Sequence, residues 1–143
     1  MRTLGLFLLA GIAMCVGIAQ APTYQPVANM SQLMVNIIYP SSNAVFYVQR
    51  DAPKNEKEWI ELQNASMTLA ESGNLLMIGA RARDQGDWIK FSRAMVDVGA
   101  AAFKAAEAHD VDGLLALANP LNDACVNCHQ AYRPNYGKRK QGK

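Results

Sequence analysis

Two cysteines and a histidine stand close together near the end of the chain, at Cys125, Cys128 and His129. Their spacing, C-x-x-C-H, is the attachment signature of c-type haem. On a helix, residues three and four positions apart share one side, so both thiols and the adjacent imidazole point the same way. Two thioethers to one porphyrin edge and an imidazole on its iron need that geometry. The motif therefore predicts one covalent haem c, attached at Cys125 and Cys128, with His129 as proximal iron ligand.

Zinc binding and dithiol redox chemistry are the main alternatives for this motif, followed by a simple disulfide. A structural zinc site uses four protein ligands, and the only other histidine and cysteine are His109 and Cys15. A thioredoxin-like dithiol would stand in a βαβ unit, and we find no convincing strand in the sequence. Haem attachment is therefore the preferred interpretation, and metal analysis of the purified protein would separate it from zinc.

Residues 1–19 have the features of a secretory signal peptide, with a basic start, an apolar run over 4–18 and a small residue at Ala19. The apolar run is too short for a comfortable membrane span. We expect cleavage after Ala19, which removes Cys15 and leaves no membrane span. The remaining residues, 20–143, then form a single domain in the periplasm of a bacterium.

Charge gives no reason to expect a nucleic-acid partner. The whole chain carries a net charge of +2, and loss of Arg2 with the leader reduces it to near +1. Positive charge is concentrated only in a basic C-terminal tail, formed by Arg133, Lys138, Arg139, Lys140 and Lys143. We interpret this tail as a solvated chain end, with docking to an acidic redox partner as the alternative.

Four amphipathic helices are predicted between residues 29 and 134. The first begins at Asn29, which forms a capping-box pair with Gln32, and should be kinked by Pro40. The second opens with the pair Asn55 and Glu58 and is expected to end near Gly86. Its inward stripe reads Trp59, Leu62, Ser66, Leu69, Gly73, Leu76 and Ala80. Two small residues in that stripe would let a neighbouring helix or a flat ligand come close.

The third helix is predicted over 87–109, and its last residue, a histidine, is interpreted as an ordinary helix-end residue. Asp110 caps a fourth helical region, which restarts with Asn119 as a new cap before Pro120 and ends at Pro134. Periods near 3.5 and short connections favour an all-α fold, an antiparallel four-helix bundle with haem c attached on the last helix.

With a haem motif on its last helix, the chain resembles the class II cytochromes c, the cytochrome c′ family, over essentially the whole mature length. The strongest similarity is the run CVNCHQAYR at 125–133, which matches the family ending C-x-x-C-H-x-x-Y-[RK]. A third helix that starts with tryptophan and ends rich in alanine, from Trp88 to Ala108, also fits. Class I cytochromes carry the motif near their start, so its position here selects class II.

In this family the first helix covers the haem face opposite the proximal histidine. The stretch from Ser31 to Asn36 resembles the low-spin subgroup, whose ligand methionine corresponds to Met34. The resemblance therefore implies Met34 as the distal iron ligand, with Met30 as a second choice. The structural alternative is that Met34 only packs in the core. It also implies that Arg133 lies near the haem.

The resemblance implies a periplasmic one-electron carrier rather than an enzyme, serving redox partner proteins. The alternative is a five-coordinate member of the family that binds NO or CO at an open iron site. A peroxidase would need a distal acid or base, and residues 29–48 contain no histidine, aspartate or glutamate. Family members often dimerise through their first two helices, so a homodimer is a further expectation. Many also carry a basic residue near a haem propionate at the place where this chain has Met30.

Overall fold

The computed structural model of the chain describes residues 24–137. Helices hold 75% of these residues, which include no strand. The α-helices are α1 (Met30–Leu33), α2 (Tyr39–Phe46), α3 (Glu56–Leu76), α4 (Asp87–Glu107), α5 (Val111–Ala116) and α6 (Ala118–Tyr132). They form four long helical segments, because a π-helical turn joins α1 to α2 and a single residue separates α5 from α6. The signal peptide predicted over 1–19 and the tail beyond residue 137 lie outside the described residues.

The first segment, residues 30–46, begins as the sequence predicts and contains a π-helical turn before Pro40. Asn29 and Gln32 form both hydrogen bonds of the capping box, at 2.9 and 3.0 Å. Pro40 has no N–H, and its ring would clash with the carbonyl four residues before it in a regular α-helix. The chain widens into a π-helical turn, Met34–Ile38, in which the Tyr39 N–H donates to the Met34 carbonyl. Pro40 is therefore accommodated by a π-turn directly before it.

The second and third long helices, α3 and α4, pack against each other in antiparallel fashion. Gln63 of α3 bonds to the Ala106 carbonyl near the end of α4, whereas Leu76 at the end of α3 accepts from Trp88 at the start of α4. A Cβ on Gly73 would lie 2.6 Å from a Val96 methyl group. The small residue in the α3 stripe thus allows a neighbouring helix, rather than a flat ligand, to come close.

The predicted end of the second helix was wrong. The sequence places it near Gly86, but α3 ends at Leu76 and Gly79 follows with φ +57°, a left-handed conformation that favours glycine. Ala80, assigned to the inward stripe, is consequently exposed. The residues 77–86 form a loop, and this loop reaches the candidate site described below.

The predictions for the last helices were partly correct. Asp110 caps α5, since its carboxylate accepts from the Gly113 N–H at 2.9 Å. Asn119 is not a cap: α6 already begins at Ala118, and Pro120 is its third residue, where a helix needs no N–H donor. Arg133 is extended, as a residue before a proline should be, and ends α6.

None of the helices within residues 24–137 combines the length and the apolar character that crossing a membrane requires. The core of the bundle is apolar and is shared by all four segments. Its buried members include Leu33, Val45, Leu62, Leu69, Trp88, Met95, Ala102, Leu114 and Leu121.

Candidate functional site

A cavity of about 560 Å³ lies between the first helical segment and α6. Cys125, Cys128 and His129 line it from α6, and Met34 lines it from the first turn of the π-helix. Further lining residues are Ile38, Phe46, Leu76, Phe91, Ser92, Met95, Arg133 and Tyr136. The fold thus brings the candidate iron ligands and thioether donors predicted from the sequence to one cavity.

A second cavity, of about 400 Å³, continues past Met34, Cys128 and His129, which line both. It is bounded by Met30 on the first segment and by Arg83, in the loop between α3 and α4. Trp88, Tyr132 and Arg133 complete this end. The methionine and histidine expected on opposite faces of one ligand therefore lie where two adjoining cavities meet.

Arg133 lines both cavities, and its guanidinium lies 5.8 Å from the ring centre of Tyr136. Arg83 brings a second exposed guanidinium to the smaller cavity. Met30 lines the same cavity. Arg83 was not predicted as part of the site, because the second helix is predicted to extend past it to Gly86.

Met95 and Ser92 are further lining residues that the sequence analysis did not connect with the site. Met95 was recognised only as a seam residue of the third helix; it is 6% exposed and lines the larger cavity. The Ser92 hydroxyl donates to the Trp88 carbonyl at 2.7 Å, so this buried polar group is satisfied within α4. The seam pattern could identify both as inward-facing, but not the cavity they would face.

His129 is half-buried, and its pKa is lowered, first by burial and second by the positive charge of Arg133. A lowered pKa favours the neutral imidazole, which is the form that binds a metal. The ring packs edge-on against Tyr136, with ring centres 5.1 Å apart. The surroundings of His129 therefore favour a neutral imidazole that can bind a metal over a protonated imidazolium.

Both thiols of the motif are free. Burial raises the pKa of the Cys125 thiol, and burial together with neighbouring Cys125 raises the pKa of the Cys128 thiol. These raised pKa values keep both thiols protonated near neutral pH and leave little thiolate for disulfide exchange. This differs from reactive dithiol sites, in which the attacking cysteine has a lowered pKa.

The second histidine lies away from this site. His109 follows α4 and stacks on Trp59, near the start of α3, with ring centres 4.6 Å apart and the planes 9° from parallel. Its Nε2 lies 3.5 Å from a Glu56 carboxylate oxygen. Within residues 24–137, no three His, Cys, Asp or Glu side chains come together in a group able to hold a metal ion.

Comparison of the chain with protein-family models, with curated proteins and with solved structures finds no match. The resemblance to the cytochromes c′ therefore depends on the motif, on its position in the chain and on the helical pattern, and it stays a prediction.

Proposed function

We propose that the protein is a c-type cytochrome, a one-electron carrier of the bacterial periplasm that holds one haem c on α6. The single observation that supports this most is that the C-x-x-C-H run of α6 and Met34 of the first segment line the same cavity. Redox partner proteins and a homodimer stay predictions of the family resemblance.

The residues present fit such a group. The cavity volume of about 560 Å³ falls within the range of about 300–1,000 Å³ that is typical of cofactor and ligand sites. Most of its lining is apolar, which suits a porphyrin face, and free thiols lie at the wall where thioethers would form. Arg83 and Arg133, at the smaller cavity, could bind carboxylates in the charge-assisted way typical of guanidinium groups. They would replace the basic partner missing at Met30.

Each residue has a distinct part in the proposed function. Haem iron, when bound, supplies the redox step by changing between its ferric and ferrous forms. His129 would hold the iron from α6 through its neutral imidazole, and Met34 would hold it from the first segment. A thioether ligand favours the reduced iron relative to a second imidazole, and so raises the reduction potential. Apolar neighbours such as Ile38 and Phe91 would shield the iron from water when haem is bound.

One observation favours a second candidate, a cytochrome c′-like protein that binds NO or CO. The larger cavity continues beyond Met34 along apolar side chains, among them Ile38 and Phe46. If Met34 does not bind iron, this wall would leave an open apolar position suited to a small uncharged gas. The first segment contains no histidine, aspartate or glutamate, so we do not propose an enzyme.

The test is an absorption spectrum of the oxidised and reduced protein, made in a host able to attach haem c. We expect low-spin spectra with the weak near-infrared band that reports methionine sulfur on ferric haem. Extraction with acid and organic solvent should leave haem on the chain, and the intact mass should include one haem. Haem that extracts freely would contradict covalent attachment, and high-spin spectra would favour the gas-binding candidate.

A further inference from the structure

One carboxylate in the loop between α3 and α4 joins two helices next to the site. Oδ1 of Asp84 accepts from the backbone N–H groups of Gly86 at 2.8 Å and Trp88 at 3.2 Å. It thereby caps the start of α4, although it lies outside the helix. The other oxygen of Asp84 accepts from the hydroxyl of Tyr132, in the last turn of α6.

The ring of Tyr132 is held from a second direction. Trp88 is 3% exposed, and its indole N–H donates to the Leu76 carbonyl at 2.8 Å, which fixes the indole between α3 and α4. The rings of Trp88 and Tyr132 meet edge to face, with centres 5.0 Å apart and planes at 83°. Tyr132 is therefore attached to the α3–α4 unit through both its ring and its hydroxyl.

Tyr132 lies three residues after His129, so the two side chains share one side of α6. Both line the smaller cavity together with Trp88. This is the last turn of α6, because Arg133 is already extended, and terminal helix turns fray unless they are held. A histidine that must keep one orientation toward a metal therefore stands in a turn that needs a tether.

We propose that Asp84 is a positioning residue for His129: it holds the Tyr132 hydroxyl and so fixes the turn of α6 that carries the iron ligand. The inference rests on the proposed haem function, since the orientation of His129 has a spectroscopic consequence only with iron present. A hydrogen bond to a carboxylate is shorter and stronger than one between neutral groups. The bond to Tyr132 is also the main reason why the pKa of Asp84 is lowered, which keeps it ionised.

Three variants separate the tether from the cap of α4. Tyr132→Phe removes only the hydroxyl. The ring keeps its contact with Trp88, and Asp84 keeps its hydrogen bonds to the backbone amides of Gly86 and Trp88. Asp84→Asn keeps an acceptor for those amides and a polar group facing Tyr132, and Asp84→Ala removes both functions. We expect Y132F and D84A to shift the reduction potential and the ligand-sensitive absorption bands. D84N keeps the acceptor for the α4 amides but loses the charge-assisted bond to Tyr132, so its shifts should follow those of Y132F in direction and be no larger.

A structural role alone would lower the melting temperature without moving the spectrum or the potential. Unchanged spectra and potential in Y132F would therefore overturn the proposal, even if D84A fails to fold. A shift in D84A that Y132F does not share would overturn it too, because the effect would then run through α4.

A second readout does not depend on haem. Amide hydrogen exchange over residues 129–133, measured on the full chain as purified, should be faster in Y132F by about fivefold, the factor for one lost hydrogen bond. The control Tyr47→Phe makes the same chemical change at an exposed tyrosine that lines neither cavity, and should leave exchange there unchanged. Unchanged exchange in Y132F overturns the tether whatever the protein binds. Absence of covalent haem in the wild type would contradict the proposed function. The hydrogen-exchange result would still test the tether, because it does not depend on haem.

Discussion

The two ends of the α3–α4 pair each combine a histidine with a tryptophan, yet only one of them forms a site. At one end, His109 stacks flat on Trp59 at 4.6 Å and its Nε2 lies 3.5 Å from Glu56. At the other end, Trp88 is engaged with Leu76 and the last turn of α6, and half-buried His129 faces two adjoining cavities. At one end the histidine contacts the tryptophan and a carboxylate, whereas at the other the histidine and the tryptophan line the smaller cavity.

The difference teaches that a ligand histidine is recognised by what surrounds it. The His109 ring has an aromatic face on one side and a carboxylate near its Nε2, so its contacts are made within the protein. The His129 ring has a neighbouring cation, Arg133, which together with burial lowers its pKa. Met34 and Cys128 line both of the cavities that His129 lines, and Cys125 lines the larger one.

The largest expected effect separates the two histidines directly. His129→Ala should leave a haem-deficient, poorly folded protein, because it removes the proximal ligand and leaves the larger cavity without its proposed occupant. His109→Ala, the matched control, should keep a full haem content, measured as haem per chain from the absorption of the reduced protein. Equal haem loss in both variants would break the comparison between the two ends.

The next effect concerns Met34, which lines the larger cavity from the first segment. Met34→Ala should convert low-spin haem to high-spin or water-ligated iron, remove the near-infrared band and let CO bind the ferrous form readily. Met30→Ala and Met95→Ala are the controls, since each removes a sulfur from the lining of one cavity only. A band that survives in M34A and disappears in either control would assign the distal position to that other methionine.

A smaller, purely structural effect is expected midway between the two ends. A Cβ on Gly99 of α4 would lie 2.6 Å from the backbone nitrogen of Ala70, and a backbone atom cannot swing aside as a side chain can. Gly99→Ala should therefore lower the free energy of unfolding by about 1–3 kcal/mol, the usual cost of overpacking. Urea unfolding of Gly99→Ala beside the wild type measures this loss. Equal stability of the variant and the wild type would contradict the close approach.

Local signals in the sequence predicted most of the helix starts. The caps at Asn29, Asn55 and Asp110 depend on hydrogen bonds within three residues, and all of them are present. The end of α3 was missed because it depends on a distant contact, the bond from the Trp88 indole to the Leu76 carbonyl. The helical pattern continues past Leu76 to Ala80, and the end was predicted at Gly86 although Gly79 lies nearer to the true end.

The candidate site was predictable to the same extent. The motif at 125–129 and the register of Met34 are local features, and the fold brings them to one cavity. Arg83, Asp84 and Met95 were not predicted as part of the site. Their places depend on where the loop 77–86 turns and on how α4 is rotated against α6, which are tertiary properties that no short window of sequence contains.

The smallest effect is a pH dependence confined to the His129 end. The hydrogen bond to Asp84 raises the pKa of Tyr132 to about 12 from its ordinary 10. Because the folded-state pKa lies above the unfolded value, this contribution to stability is complete below about pH 10 and is lost as the pH rises toward 12. The pKa of Asp84 is lowered by the same bond. The stability that ionised Asp84 contributes is therefore complete above its ordinary pKa of 3.8 and is lost as the pH falls through the lowered pKa.

Urea unfolding of the wild type and Tyr132→Phe should therefore show the largest stability difference between about pH 5 and pH 9. The difference should narrow on both sides of that window, and the effect will be modest because Asp84 is exposed and solvent screens the pair. Tyr47→Phe should show no such window, since Tyr47 has no carboxylate partner among the hydrogen bonds of residues 24–137. A stability difference that stays constant from pH 4 to pH 11 would mean that the Tyr132 hydroxyl does not bond to an ionised Asp84 in solution. The tether at this end of the bundle would then consist of the Trp88–Tyr132 ring contact alone.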